Sequence, residues 1–560
     1  MYFVLTTNEE IGGVGGGPII AYSDGLCIYD KDVADRLVQI AEDLDLSPQS
    51  AVLGAFESDA SHAKANGLAR TRWDELASTT RRLTAPSCGN SRVMEELMER
   101  EGKWAVDHAF TLPDLDDVTF HAEVQSDTVE LASTYYDTRD FDLRAHGIVV
   151  RRRDGDDDTG WQVKLPSGDG RLELHWPLSD SPPPELSRIL TGAALGKELT
   201  NAATIRTLRR RHRVSAEGKL RYEIADDTVR ASMGSELLAW REVEVELGPG
   251  TKMVPKKLRR RLRAAGARPS TYPSKLAHAT GMPAPSALPK AAAAVRAYLD
   301  QQIDQIMAGD VDLRRQRDPI HDTRVAIRRV RSTLRVFKKV LHAPPGLDDE
   351  LKWFAGLLGE VRDAQVQQRR FAEAVDALPE ELVLGPVRSR IRSDLQAIEL
   401  PARKTVDQAM DSARYLDILA VLRQWRTDAP IDDDLGPKVL RKLAIKASRK
   451  AERRLDRALV AGDPVLLHRA RKAAKRARYA AELVAPVHSA AKRRRKQHER
   501  VQSVLGDHQD TVVAAAALRR MAVAAGTAPR ENGFTFGLLY SREQRIAEER
   551  RCEAKGLRRP

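Results

Sequence analysis

The sequence predicts an α+β multidomain protein, with a strand-rich segment over about 95–280 and an almost wholly helical half from 291 onward. Three observations carry this. Short segments such as WQVKL, RLELHWPL and REVEVEL alternate apolar and polar residues, the period of a half-buried strand. From 291 the chain runs in long Ala/Leu/Arg stretches broken only at APPG, ALPEE and TDAPIDDDLGP. Between the two lies GMPAPSALPK (281–290), whose Pro, Ala and Ser content suits a linker. The expected divisions are an N-terminal extension over 1–85, a strand-rich domain over 90–282, a linker over 283–290 and a helical domain over 291–550.

In the extension, residues 1–16 end in the glycine cluster IGGVGGG and read as loop, 28–45 read as helix, and 60–85 are small and polar with no evident core. The three cysteines, Cys27, Cys88 and Cys552, lie far apart, which rules out a disulfide scaffold and suits a reducing cytosol. No apolar run approaches the roughly 18 residues of a membrane span, and MYFVLTTNEE lacks the basic-then-apolar layout of a signal peptide. A cytoplasmic protein with no membrane partner is the expectation. Its net charge of +12 is uneven. Residues 290–560 hold 55 Lys+Arg and 36 Asp+Glu, a net of +19, whereas residues 1–289 hold 37 and 44, a net of −7. The basic half should attract polyanions.

The strand-rich segment places like charges in rows. Glu99, Glu101 and Lys103 alternate in EREGK, and Glu242, Glu244 and Glu246 alternate in REVEVEL, so each set shares a strand face. Carboxylates stacked on one face repel and call for a counter-charge. Mg²⁺ or Mn²⁺, which take carboxylate oxygens, would supply it; a solvated strand edge is the plainer alternative for either row alone. Arg151 and Arg153 in VVRRRDG, Lys164 in WQVKLP, and Arg209, Arg211 and Arg213 in LRRRHR form cationic rows. Guanidinium forks bind phosphate oxygens in pairs, and Lys acts as a point charge. Facing rows of acid and base would suit a metal-bound oligophosphate.

The helical half contains a duplication. HDTRVAIRRVRS from His321 and HRARKAAKRARY from His468 are offset by 147 residues; LLGEVRD and VLGDHQD, which align Gly359 with Gly506 and Asp363 with Asp510, have the same offset. His321, Arg324, Arg328, Arg331 and Arg335 are spaced 3, 4, 3, 4 and form one helical stripe; His468, Arg471, Lys475 and Arg478 repeat it. Such a stripe repels itself by a few tenths of a kcal/mol per pair, so an anionic ligand is expected. Scarce aromatics argue against a single-strand nucleic-acid platform, and no helix-turn-helix or zinc-finger pattern points to specific nucleic acid.

The ordered motifs EREGK, STYYDT, LRAHGIVVRRR, WQVKLP, GRLEL, TLRRRHR, DDTV, REVEVEL and PSKLAHA resemble the CYTH, or triphosphate tunnel, family over about 95–280. The resemblance implies an antiparallel eight-stranded tunnel barrel. It also implies metal ligands at Glu99, Glu101, Glu244 and Glu246, and phosphate-binding cations at Lys103, Arg151, Arg153, Lys164, Arg209, Arg211 and Lys275. The activity implied is metal-dependent phosphoryl transfer with Mg²⁺ or Mn²⁺. No base-recognition motif is visible, which favours inorganic triphosphate over thiamine triphosphate, nucleoside triphosphates or ATP cyclisation.

Residues 291–550 resemble the CHAD domain, an all-helical duplicated module associated with inorganic polyphosphate. The resemblance implies polyphosphate-binding roles for His321, Arg324, Arg328, Arg331, His468, Arg471, Lys475 and Arg478, on two stripes lining a basic channel. Asp363 and Asp510 would orient arginines, and Lys475, standing where the first unit has Arg328, would keep the charge but lose a fork. TTNEEIGGVGG, GGPIIAYSDG and ESDASHAKANG resemble pieces of M42-type aminopeptidases, with Glu9 and Glu10 matching the paired glutamates, but the stretch is too short to supply three zinc ligands. The expected function is therefore a metal-dependent inorganic triphosphatase joined to a polyphosphate-holding module. A non-catalytic, granule-associated polyphosphate binder is the alternative.

Overall fold

The chain divides into two compact units, Met1–Ser91 and Arg92–Pro560. The computed structural model describes residues 95–115, 122–155, 159–168, 170–281, 288–432 and 434–557, together with the backbone of three short strands in the first unit. Those strands, Val4–Thr6, Ile19–Ala21 and Cys27–Tyr29, pair antiparallel in chain order. The helix expected over 28–45 therefore begins on a strand, and the rest of it lies outside the described residues, as do Glu9 and Glu10.

The second unit opens with a ten-stranded sheet. Its strands are β1 (Glu95–Glu99), β2 (Glu101–Val106), β3 (Glu123–Asp137), β4 (Val149–Asp154), β5 (Gly160–Ser167), β6 (Gly170–Trp176), β7 (Thr200–Ala216), β8 (Lys219–Met233), β9 (Glu236–Leu247) and β10 (Arg268–Pro269). Their order is β10-β2-β9-β8-β7-β3-β4-β5-β6-β1, and all pairings are antiparallel. β1 and β2 stand near opposite ends of that order yet are consecutive in the chain, joined by Arg100. The sheet thus closes on itself through one broken strand. The expectation of eight strands is corrected to ten for two physical reasons: the first strand is interrupted at Arg100, where it changes partner from β6 to β9, and the two-residue β10 pairs onto the free edge of β2.

Strand alternation sorts the side chains. Val243 and Val245 are fully buried outside the barrel wall, under Leu258 and Leu262 of helix α3 (Lys256–Ala264), while Glu244 and Glu246 line the bore and Glu242 shares their strand face. Three further short helices serve the barrel: α1 (Asp142–Ala145), α2 (Pro184–Leu190) and α4 (Lys275–Ala279).

Among the described residues nine α-helices follow: α5 (Lys290–Arg314), α6 (Ile320–Val336), α7 (Leu347–Asp376), α8 (Val387–Met410), α9 (Ala413–Thr427), α10 (Pro437–Ala461), α11 (Pro464–Val484), α12 (Ala491–Thr527) and α13 (Phe534–Lys555). The starts of α5 and α10 are 147 residues apart, as are those of α8 and α13, so the duplication spans four helices. Helix α9 is turned to the barrel. Its Arg423 pairs with Asp142 of α1 at 2.7 Å, and its Arg426 donates to the Ala145 carbonyl at 3.2 Å.

The two domains share one hydrophobic core. Val150, Trp161, Val163, Leu165 and Leu174 from the outer face of β4–β6 belong to the same buried cluster as Leu299, Ile303, Phe354 and Leu419. Each such buried aliphatic side chain contributes about 1.5–3 kcal/mol, so barrel and bundle are fused rather than tethered. Of the expected linker, 283–287 lies outside the described residues; Leu288 already packs on this core and α5 begins at Lys290. No helix among the described residues is long and apolar enough to cross a membrane.

Candidate functional site

The bore is lined almost entirely by ionised side chains and encloses about 50 Å³. Two clusters of carboxylates stand in and beside it. The inner group is fully neutralised. Asp227, Glu242 and Glu244, all buried, face Lys103, Arg209 and Lys275. Arg209 grips Asp227 with Nε and Nη2 at 2.9 and 2.8 Å and reaches Glu244 at 2.6 Å. Lys275 stands 2.9, 2.7 and 2.8 Å from Asp227, Glu242 and Glu244, and Lys103 pairs with Glu244. Lys275 comes from α4, which Ser274 caps by accepting the Ala277 N–H at 3.1 Å. Burial pushes the Glu244 carboxyl up, yet Lys103, Lys275 and Arg209 hold it well below the carboxylate range.

The outer group is under-neutralised. Glu99, Glu101 and Glu246 bring carboxylate oxygens within 4.8 Å of one another. Glu101 and Glu246 are direct cross-strand partners on β2 and β9, an arrangement that is destabilising for like charges. Lys164 holds both oxygens of Glu99 at 2.7 Å. The other two carboxylates have only cations already committed to the inner group: Lys103 at 3.2 Å from Glu101 and Arg209 at 3.3 Å from Glu246. Glu246 keeps about a third of its side-chain surface open (34%) but is ringed by protein. That burial, reinforced by the Glu99 charge and only partly offset by Arg209, pushes its carboxyl up to about 7. Three oxygen ligands with surplus negative charge fit a hard divalent ion; three carboxylates already matched by three cations do not.

The sequence-derived set is thus divided. Glu99, Glu101 and Glu246 come together, while Glu244 stands with the cations. Lys103, Arg151, Arg153, Lys164, Arg209 and Lys275 all line the bore. Arg211 does not; it forks Asp127 of β3 at 2.8 and 2.6 Å. Arg213, on the same face, pairs with Glu223 at 3.0 Å. Sequence reading missed Asp227 and Tyr135. Glu173 sits 3.5 Å from both Lys164 and Arg151, and Arg151 also donates to Gln162. Burial alone would raise the Tyr135 hydroxyl, but Arg151, Arg153 and Lys275 hold it below its usual value. Asp227 was legible as a carboxylate opposite Arg209 in a β7–β8 hairpin, had the register been known.

In the bundle, α6 packs on α11 and brings Arg324 and Arg328 beside Arg471 and Lys475. Two glycines make this possible. A Cβ on Gly359 would lie 2.5 Å from the Arg324 guanidinium, and one on Gly506 would lie 3.3 Å from that of Arg471. Each arginine therefore lies flat on the backbone of α7 or α12, held there by Asp363 at 3.2 Å or Asp510 at 3.7 Å. The Nε atoms of Arg328 and Arg471 are buried with no hydrogen-bond partner among the described residues. Arg331 and Arg478 are tied to Asp348 at 3.0 Å and Glu499 at 3.0 Å. Burial, with Arg362 near His321 and Lys472 and Arg471 near His468, holds both imidazoles below their ordinary value. At neutral pH they are hydrogen-bonding groups rather than cations. Arg362 was not singled out in the sequence.

Comparison with known proteins agrees with this architecture. The CYTH domain model matches residues 98–270 and the CHAD domain model matches 297–519. Two uncharacterized proteins of Mycobacterium tuberculosis, from strains CDC 1551 and H37Rv, are each 34% identical over 498 residues, covering 81% of this chain and 94% of theirs. Among solved structures, PptA from Streptomyces chartreusis (21% identity, TM-score 0.40) covers 48% of this chain and 97% of its own. The CHAD domain from the plant Ricinus communis (26% identity, TM-score 0.40) covers 47% of this chain and 90% of its own. On the two domain models and the 34% identity over most of both chains, this chain belongs to the family of proteins that join a CYTH domain, the fold of the triphosphate tunnel metalloenzymes, to a CHAD domain.

Proposed function

We propose that the barrel hydrolyses inorganic triphosphate with the help of Mg²⁺ or Mn²⁺, and that the bundle binds inorganic polyphosphate, in the cytoplasm. The observation that carries the enzymatic reading is the division of the bore into a balanced set of ion pairs and an adjoining carboxylate trio in charge deficit. Glu99, Glu101 and Glu246 would hold the metal, which when bound would supply Lewis-acid stabilisation of phosphate charge and a coordinated water. Lys103, Arg151, Arg153, Lys164 and Lys275 would bind and align the phosphate oxygens, fixing the terminal phosphorus for in-line attack. Glu173 and Glu244 keep these cations oriented by ion pairs that the substrate exchanges for its own oxygens. Among the described residues Tyr135 is the one aromatic ring in the lining, and a lining of charged groups rather than paired rings supports an inorganic substrate. The test is phosphate release from tripolyphosphate by the full chain. Release is expected with Mn²⁺ or Mg²⁺ and none after chelation; no release under either condition leaves the barrel without this function.

The unpartnered guanidinium nitrogens of Arg328 and Arg471 support a phosphate-binding role for the bundle. Lys475 makes that binding pH-dependent. Burial, with Arg471, Arg328 and Arg324 nearby and Asp510 opposing, lowers its ammonium to about 7. A depressed lysine is neutral above that value, and a bound polyanion favours the charged form. Binding therefore takes up a proton above pH 7, and affinity for long-chain polyphosphate is expected to fall by up to about tenfold per pH unit between roughly 7 and 9. Calorimetry in two buffers of different ionisation enthalpy reads the proton directly. Lys475→Arg, charged throughout that range, should flatten the profile; an unchanged slope would remove Lys475 from the cradle.

A further inference from the structure

We propose that Glu96 is a positioning residue for the metal site, held in place by Arg315 and Arg317 of the bundle, so that the CYTH metal centre is completed by the CHAD domain. This rests on the reading of Glu99, Glu101 and Glu246 as metal ligands.

The geometry begins at the break in the first strand. Glu101 and Glu246 lie on paired strands, and their separation is set by the β2–β9 ladder. Glu99 lies beyond the break at Arg100, on β1, so its distance from the other two is set by wherever β1 is held. β1 is the end strand of the sheet order and pairs only with β6, through Glu95↔His175 to Glu99↔Arg171. It has little apolar anchorage, because Leu97 and Met98 are 54% and 49% exposed. A five-residue strand with one ladder, whose one inward anchor among the described residues is the Glu99–Lys164 pair, is only weakly fixed by apolar packing against the barrel.

What fixes it is a carboxylate on its outer face. Glu96 alternates with Glu99's side of the strand and turns toward the bundle. Arg317 donates to both of its oxygens, at 2.8 and 2.6 Å, and Arg315 stands 2.7 Å from it. The Arg315 side chain is 3% exposed and its guanidinium is also held by Asp312 at 2.8 Å. It is therefore pinned to α5 rather than free to follow the strand. Gln316, between the two arginines, takes a left-handed φ of 59°, the tight turn that brings neighbours two apart in sequence onto one carboxylate. Burial would raise the Glu96 carboxyl, but the two guanidiniums hold it below its usual value. The clamp joins the α5–α6 turn to the strand that carries Glu99, three residues away.

The test compares wild type, Glu96→Gln and Arg317→Met as full chains. Arg317 is half exposed, so its removal leaves the fold intact. Mn²⁺ binding is read by electron paramagnetic resonance, and phosphate release is measured against Mn²⁺ and against tripolyphosphate. Both variants are expected to need about tenfold more Mn²⁺ for half-saturation, the usual effect of losing a group that orients a ligand. The tripolyphosphate KM at saturating Mn²⁺ and the melting temperature should stay at wild-type values. Unchanged Mn²⁺ dependence in both variants overturns the clamp. So does a general loss of melting temperature with kcat and both half-saturation values moved together, which would mark Glu96 as merely structural. Failure of wild type to bind Mn²⁺, or a Glu99→Gln variant that binds it normally, would instead sink the metal assignment on which the clamp depends.

Discussion

Arg209→Met is expected to lower stability by about 3–5 kcal/mol, the cost of stripping one partner from a buried ion cluster. The substitution keeps the stem of the side chain and removes only the charged fork. It leaves Asp227, which is fully buried, without its two guanidinium contacts and Glu244 without one. The inner group would then hold three carboxylates against Lys103 and Lys275. Desolvated carboxylates in surplus must protonate or open the barrel to water, and either route weakens the native state. Thermal melting with the barrel tryptophans as reporters gives the loss. The double variant Arg209→Met/Asp227→Leu should recover much of it, because removing both members of a buried pair costs far less than removing one. An unaltered midpoint for Arg209→Met would mean that these charges are solvated and that no closed bore surrounds them.

Glu99→Gln has a different profile: a smaller loss of stability than Arg209→Met and at least about a 100-fold loss of metal-dependent phosphate release. Glutamine is isosteric but carries no charge, so the outer trio loses one of the negative charges that would hold a divalent ion. Lys164 keeps Glu173 at 3.5 Å and is not left alone. Mn²⁺ affinity should fall together with activity. Glu244→Gln separates the two carboxylate groups: its melting temperature should drop, since Lys103, Arg209 and Lys275 lose their shared partner, while Mn²⁺ affinity stays near the wild-type value. If Glu244→Gln abolishes Mn²⁺ binding and Glu99→Gln does not, the two groups have been assigned the wrong way round.

Much of this molecule follows from periodicity alone. A period of two is enough to put Glu99, Glu101 and Lys103, and Glu242, Glu244 and Glu246, on one face each, because a strand has no other choice. A 3,4 spacing is enough to align His321, Arg324 and Arg328 on α6, and a shared offset of 147 is enough to announce a duplicated bundle. These are properties of local backbone geometry, which a sequence states directly.

Which charge meets which could not be read that way. Arg209 and Arg211 lie on the same face of one strand, yet Arg209 joins the buried cluster and Arg211 forks Asp127, since height along the barrel depends on register with β3 and β8. Glu244 and Glu246 are likewise two residues apart, and only the arrival of Lys275 from α4 and Lys103 from β2 neutralises the first and leaves the second in deficit. Lys475 has the chemistry of a cation in the sequence, but at neutral pH burial among Arg471 and Arg328 puts it at its titration midpoint. The shared core was equally hidden, because the outward apolar residues of β4–β6 have the pattern of any strand and nothing in them names the bundle as their cover. Local periodicity is encoded residue by residue; electrostatic balance and domain fusion are sums over groups far apart in the chain, and only the closed tertiary structure brings those groups within reach of one another.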